Sequence, residues 1–517
     1  MNGPFAPMHV LRVLCGAALM LGAATWTQGC TVSRLDRLLA GVPSSSAASF
    51  RNGRQGVILP AVSTNETLNF KRRINLSQCI QVALEHRPET RGTWLTVRAA
   101  AAGVGRAKAA YLPSLDLSAQ AVIGDPLEPS SPQTKGVSYV LEANLGLHYL
   151  LFDGGGRAAG VAAAKANLMV AGLTHNAKLR EVVRSVELAY YGLLATEQQE
   201  GIARQSVRQA TEHVALAKAR RENDVALRLD VMQAETAKAE ATLAWVRARS
   251  QTRLARGQLA HAMGLSPTVM IRVAAVPPHD PLEAVGRIQA LLQEAAAHRP
   301  ELNAARAEVS LARAKARGAQ SRYWPVLTLN AQAGVQLRKA STQYTNWTVG
   351  LGITFPFFDG LDREYAIRQA RLEAAKSETD VVGVARDIEM QVWTAFASLK
   401  EAAAAIRAAR TLVQSAKESV ETAEGQYREG VASIIALVDA QTAHVRARLQ
   451  LVQARLAWYA DMAKLRWAVG RFRETAPPRK GPPSAMHSTV KVRLHKTPTP
   501  GNAPSATRPS ETRRPAQ

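Results

Sequence analysis

The chain is written twice, and that duplication limits what it can fold into. His86-Arg87-Pro88-Glu89 recurs as His298-Arg299-Pro300-Glu301, and Tyr111-Leu112-Pro113 as Tyr323-Trp324-Pro325, both 212 residues on. Phe152-Asp153-Gly154 recurs as Phe358-Asp359-Gly360, and Gly264 as Gly470, both 206 residues on. The offset changes by six residues only between positions 113 and 152. One connection in the first half is therefore longer, which a surface loop absorbs at little entropic cost. Two copies of one supersecondary plan are expected.

Each copy reads as a helix, two strands and two very long helices. Leu115, Leu117, Ala119, Ala121 and Ile123 alternate with Asp116, Ser118, Gln120 and Val122. Tyr139 to Tyr149, Leu327 to Val335 and Trp347 to Phe355 alternate in the same way. Period two puts one set of side chains on each face of a strand. Each run has about 10 residues, the length a tilted strand needs to cross a bilayer. A half-buried soluble sheet would show the same alternation. Aromatics near the run ends (Tyr139, Tyr149, Trp347, Phe355) and polar connections at 124–137 and 338–346 favour the bilayer. Four strands cannot close a barrel, because single-chain membrane barrels start at about eight. Open edges in lipid leave backbone groups unpaired at several kcal/mol each. The barrel must be shared between copies of the chain.

The helices carry a second pattern. No proline interrupts 158–223 or 362–428, and sixty-odd residues at about 1.5 Å each reach roughly 100 Å. Leu399, Ala402, Ile406, Ala409, Val413, Ala416, Val420, Ala423 and Tyr427 step by three and four without a break. Ile435, Val438, Thr442, Val445, Leu449, Val452, Leu456 and Tyr459 do the same on the return. Sustained stepping of this kind is a coiled-coil seam, and its alanines let helices approach closely. Two antiparallel hairpins are expected, turning near Asn223–Ala226 and Glu429–Ala432.

A net charge of +24 invites a nucleic-acid reading. Arg204, Arg208, Lys218 and Arg221 stand singly at helical spacing with no interleaved aromatics. They read as a solvated helix face, and no nucleic-acid partner is expected. Cys79 is alone in the body of the chain, so neither an internal disulfide nor a zinc pair is expected. Arg12 precedes an apolar run, Val13 to Ala24, too short to span a bilayer. With Thr27-Gln28-Gly29 before Cys30, it reads as an export signal. Ordinary cleavage and lipid attachment at Cys30 both fit.

The expected organisation has a signal peptide at 1–29 and an N-terminal periplasmic segment at 30–75. The first repeat covers 76–281, with strands at about 114–123 and 138–150 and a helical hairpin at 158–264. The second covers 282–473, with strands at about 326–336 and 347–356 and a hairpin at 362–470. A disordered basic, proline-rich tail fills 474–517. Gly154-Gly155-Gly156-Arg157 looks like a phosphate loop, but its twin Gly360-Leu361-Asp362-Arg363 shares only the job of a strand-to-helix turn. His86 with Glu89 could be an acid–base pair, but Pro88 and Glu89 fit the first turn of a helix. No catalytic set, metal site or cofactor is expected, and the chain is not read as an enzyme.

Tyr427-Arg428-Glu429-Gly430-Val431-Ala432-Ser433, followed by Leu437-Val438-Asp439-Ala440-Gln441 and Ala447-Arg448, resembles the tip turn and following helix of the TolC family of outer-membrane efflux proteins. The Leu-Pro before the strands and Phe-Asp-Gly after them also resemble that family, and the likeness covers roughly 70–472. It implies a mixed α+β membrane fold in which each protomer has four β-strands and long coiled-coil α-hairpins. The homotrimer would form a twelve-stranded β-barrel continued by an α-helical barrel. The likeness implies an outer-membrane duct with a long periplasmic extension, with outer-membrane lipid around the barrel. A periplasmic adaptor would dock on the tips (Asp224, Val225, Ala226, Leu227; Gly430, Val431, Ala432, Ser433). An RND, MFS or ABC transporter would stand behind it in the inner membrane. It also implies a periplasmic gate at Asp230 and Asp439, favouring cations; helix capping is the plainer role for Asp230. This chain departs from the family at Ala436, where a second acidic residue is common, and at the first tip, which lacks glycine. A different reading remains: a periplasmic coiled-coil scaffold tethered by lipid at Cys30.

Overall fold

The computed structural model describes residues 73–124, 138–275, 287–338 and 342–470. The expected leader, Cys30, the segment up to 72 and the tail from 474 lie outside them. β1 (Arg73–Ile74) precedes the first repeat, which contains α1 (Leu76–His86), α2 (Pro88–Ala109), β2 (Ser114–Gly124), β3 (Ser138–Phe152), α3 (Gly156–Glu222), α4 (Arg228–Ala262) and, after the hairpin, β4 (Arg272–Val273), the parallel partner of β1. The second contains α5 (Ile288–His298), α6 (Pro300–Gln320), β5 (Val326–Arg338), β6 (Thr342–Thr354), α7 (Asp362–Glu429) and α8 (Ile434–Val469). No helix among the described residues is long and apolar enough to cross a membrane.

Local chemistry sets the ends of these elements. Asn75 caps α1 reciprocally: its Oδ1 accepts from Gln78 N at 2.8 Å while Gln78 Oε1 accepts from Asn75 N at 3.0 Å. Pro88 and Pro300 open α2 and α6, where a missing N–H costs nothing. Gly155 takes φ +90 at the start of α3, and Gly430 and Gly470 take φ +83 and +86 at the ends of α7 and α8. Asp153 accepts from Gly155 N at 3.2 Å and Arg157 N at 2.6 Å. The amides of the phosphate-loop lookalike are thus occupied by the chain's own carboxylate.

The four long strands form one antiparallel sheet in the order β2-β3-β5-β6. The two halves meet at β3 and β5, with Leu145 opposite Ala333 and Tyr149 opposite Leu329. A bulge at Leu151 lets β3 continue to Phe152, past the stop that strict alternation suggests. β6 begins at Thr342, five residues before the apolar run at Trp347, because Thr345, Tyr344 and Gln343 pair with Val335, Gln336 and Leu337. β2 and β6 are the edges of the sheet.

The helices form a staggered wall. α2 lies along the strand-proximal part of α3, with Thr93 Oγ1 2.8 Å from His175 Nδ1 and the Arg157 guanidinium 4.9 Å from the Tyr111 ring. α4 lies along the distal part: Thr252 Oγ1 donates to Thr196 O at 3.2 Å, and Arg256 pairs with Glu197 at 3.3 Å. Between them, Leu179, Val182, Val186 and Tyr190 of α3 are buried with Cys79 and Leu84 of α1 and with Leu259 and Met263. The second half repeats the plan. α6 and the single turn that follows it hold α7 through Arg313–Glu378 at 2.6 Å and Arg322–Asp362 at 2.7 Å, and Ile388, Val392 and Leu399 pack with Trp458 and Leu465 of α8. Tyr191 stacks on Tyr459 at 4.5 Å, joining the two halves.

At each break between short helices an arginine does the joining. Arg299, 2% exposed, donates through Nη1 to Trp467 O at 3.2 Å and Ala468 O at 3.1 Å, and through Nη2 to Gln391 Oε1 at 2.7 Å. Its Nε stands 3.0 Å from Glu301, and its guanidinium lies 4.3 Å from the Trp467 ring centre. Arg87 makes the lighter version, with Ser185 Oγ at 2.8 Å and Glu89 at 3.1 Å. In the repeated His-Arg-Pro-Glu motif the arginine, more than the histidine, holds the fold.

His175 is buried beside Trp94, and burial pushes its imidazole down from 6.5 to about 4. The folded ring resists a proton that the unfolded chain accepts. Stability is therefore expected to fall as pH drops below 6.5, level off below about 4, and lose about 3 kcal/mol in all. Thermal melts in detergent at pH 7 and pH 4 should show the drop, and His175→Gln should flatten it.

Candidate functional site: the polar sheet face and the helical tips

The sheet has two chemically distinct faces. Leu115, Leu117 and Ile123 of β2 and Trp347, Val349, Leu351 and Ile353 of β6 lie on one face and are exposed. Cross-strand pairing continues that face through Leu145, Leu147, Ala331 and Ala333. The opposite face carries Asp116, Gln120, Glu142, Asn144, His148, Asn330 and Gln336. There Glu142 is clamped by Gln120 Nε2 and Gln336 Nε2, both at 2.6 Å, and His148 Nδ1 meets Asn330 Oδ1 at 2.8 Å. A Cβ on Gly334 would press on the Asn144 side-chain amide and lie 2.8 Å from Asn346 Oδ1, so a larger residue there would have to turn those two amides aside. Apolar side chains exposed outside and a bonded polar ladder inside suit a wall between lipid and water.

At the far ends of the helices the two hairpins turn. Asp224 takes φ +59, the left-handed conformation that a short polar side chain tolerates in place of glycine. Val225, Leu227 and Val431 are exposed at the turns. Ser433 caps α8, its Oγ accepting from Ala436 N at 3.3 Å. Below the turns Val214, Ala217, Val231, Ala234, Ala423, Tyr427, Ile434 and Leu437 form one small core. The two acidic residues part ways here. Asp230 is half-buried and its Oδ2 accepts from Leu227 N at 3.0 Å, closing the first turn of α4. Asp439 is exposed, on the face of α8 opposite the buried Leu437 and Gln441.

Arg220, which no sequence pattern singles out, links the tips. Its Nη1 donates to Tyr427 O and, at 3.4 Å, to Arg428 O, and its guanidinium lies 4.8 Å from the Tyr427 ring centre. It thus caps the end of α7 while belonging to α3. Burial pushes the Tyr427 hydroxyl up, and Arg220 opposes that. A basic residue in the last turn of a helix usually serves its own carbonyls, so position alone gives no hint of this cross-hairpin contact. Deeper in, Gln441 Nε2 donates to Gln209 Oε1 at 2.5 Å and Arg448 to Gln205 at 2.8 Å. Among the described residues no cluster of His, Cys, Asp or Glu could hold a metal ion.

Similarity to known proteins agrees with this geometry. The sequence profile described as "Outer membrane efflux protein" matches residues 79–265 and 291–471, one stretch per repeat. Protein CyaE of Bordetella pertussis is 29% identical over 391 residues, covering 72% of this chain and 79% of that protein. The toluene efflux pump outer membrane protein TtgF of Pseudomonas putida is 25% identical over 455 residues, covering 83% of this chain and 90% of that protein. In fold the chain is similar to the outer membrane protein VceC of Vibrio cholerae, with a TM-score of 0.67 at 20% identity over 76% of this chain and 96% of that one. The outer-membrane channel OprN gives 0.68 at 19% identity over 83% and 97%. Each profile match takes in a strand pair and a hairpin, and together they cover most of the chain: it belongs to the outer membrane efflux protein family, an outer-membrane transport channel with a long periplasmic helical extension.

Proposed function

We propose that three copies of this chain close one duct across the outer membrane and carry it through the periplasm to an adaptor seated on the helical tips. The sheet supports this most directly: one apolar face crosses all four strands, yet among the described residues β2 and β6 have no outer partners. Three copies supply twelve strands, an acceptable membrane barrel. The helices have matching flanks. α3 packs between α2/α4 and α6/α8, and α7 packs on α6/α8. Leu95, Leu243 and Leu254 are exposed on α2 and α4, and Leu372, Met390 and Trp393 on α7. These apolar flanks stand below the two open sheet edges, where a neighbour would cover them.

In this reading Asp224, Val225, Ala226 and Leu227 with Gly430, Val431, Ala432 and Ser433 receive the adaptor, and an RND, MFS or ABC transporter feeds it. Asp439 supplies the carboxylate ring at the constriction, while Asp230 shapes the turn beside it. Lipid on Cys30 would add a second anchor.

Purified protein in planar bilayers is expected to show discrete, cation-preferring conductance. Asp439→Asn should lower the cation preference about twofold, since an exposed ring of charge acts through a screened field. A folded trimer that leaves the bilayer silent would sink the duct.

A further inference from the structure

The joint between the two halves of one chain has a duplicate whose partner is missing. Where β3 leaves the sheet, Gly154 takes φ +61 and lies hard against Trp324, the residue leading into β5. A Cβ on Gly154 would strike the Trp324 Cβ and lie 2.7 Å from its ring. Phe152 completes the joint, edge-on to Trp324 at 6.4 Å. The sequence repeat maps Gly154 onto Gly360, Phe152 onto Phe358 and Trp324 onto Leu112. Gly360 keeps the same left-handed backbone at φ +69, yet a Cβ there would meet nothing within 4 Å. Leu112 and Phe358 are 70% and 78% exposed. These residues sit at the two open edges, Leu112 before β2 and Phe358 after β6.

We propose that neighbouring subunits join by repeating this internal joint, with Leu112 of one copy seated against Phe358 and Gly360 of the next. The occupant is a second copy because the duplicated plan places before the other open edge, β2, the counterpart of the lead-in that fills the internal joint: Leu112-Pro113 for Trp324-Pro325. Gly360 is glycine for the same reason as Gly154, and the side chain it makes room for comes from the neighbour. Leu361, held at φ +71 and half-exposed beside Gly360, is an apolar side chain kept in a conformation L residues rarely adopt. The joint gives it a surface to cover.

The joint rests on the ring-shaped assembly proposed above, and one experiment separates the two. Leu112→Cys with Gly360→Cys, in the full-length protein in detergent, is treated with a short bis-maleimide, each end of which adds one cysteine thiolate across its double bond. Dimer and trimer ladders are expected. Trp324→Cys with Gly154→Cys should cross-link within one chain and give no ladder. A detergent-stable trimer without a ladder would overturn the joint and leave the channel standing. A parent protein that forms no trimer would overturn the assembly itself. As a variant that needs no new bond, Leu112→Arg changes a side chain already exposed in the single chain. It should make the trimer dissociate at least about tenfold faster on heating with an unchanged helix signal; unaltered trimer lifetime would refute the contact.

Discussion

Arg299→Ala is expected to cost about 3–5 kcal/mol of folding stability, because it breaks a buried, multiply bonded ion pair and takes a donor from each of its partners. The two carbonyls at the end of α8 each lose a donor, Gln391 loses its donor and Glu301 loses its nearest counter-charge. The Trp467 ring also loses the guanidinium above it. Lysine should recover only part of the loss, since a point charge cannot serve separate acceptors in a planar fork. The duplicate provides an internal control. Arg87 is more open and holds Ser185 in place of Gln391, so Arg87→Ala should cost about 1 kcal/mol. Chemical denaturation followed by tryptophan fluorescence would measure both. Equal losses would show that burial of the arginine does not decide the effect.

Arg220→Ala is expected to loosen the tips without unfolding the wall. The guanidinium is a fixed link from α3 to the end of α7, through Tyr427 O, Arg428 O and the Tyr427 ring. A coupling of this kind is worth about 1–3 kcal/mol, or roughly 5–150-fold in the balance between two arrangements. Single-channel records should show a large-conductance state more often by about that factor, while the helix signal on heating stays close to the parent's. Arg220→Lys should recover only part of the link, for the same geometric reason as at Arg299. Opening that does not change would mean that the Tyr427–Leu437 core alone holds the tips together.

Much of this architecture is legible in the amino-acid sequence. The two offsets, 212 and 206, map every repeated element. The alternation around Leu115–Ile123 and Trp347–Phe355 marks strands with one apolar face. The Leu399–Tyr427 stepping marks a seam, and every residue named in it except Val413 is buried within one chain. The pairing of β3 with β5 is not legible, since alternation gives faces and says nothing of neighbours. The bulge at Leu151 is hidden for a related reason: it adds a residue without changing composition. Side chains that bridge distant segments are hardest to see. Arg299 reaches residues 92 and 168 positions away, and Arg220 one 207 positions away. Local spacing carries no trace of such contacts. At the tips, Asp224 reads as a turn residue from its chemistry alone, whereas the division of work between Asp230 and Asp439 needs the helix faces.

The staggered wall has a mechanical side. Each long helix runs unbroken past the place where its two short neighbours stop, as a course of brick bridges the joint below. At Leu179–Val186 the chain can leave the wall, build the small α1–β1–β4 girdle and return, while α3 still carries load across the gap. A tube assembled in this way can gain or lose decoration at its waist without a weak seam forming around its circumference.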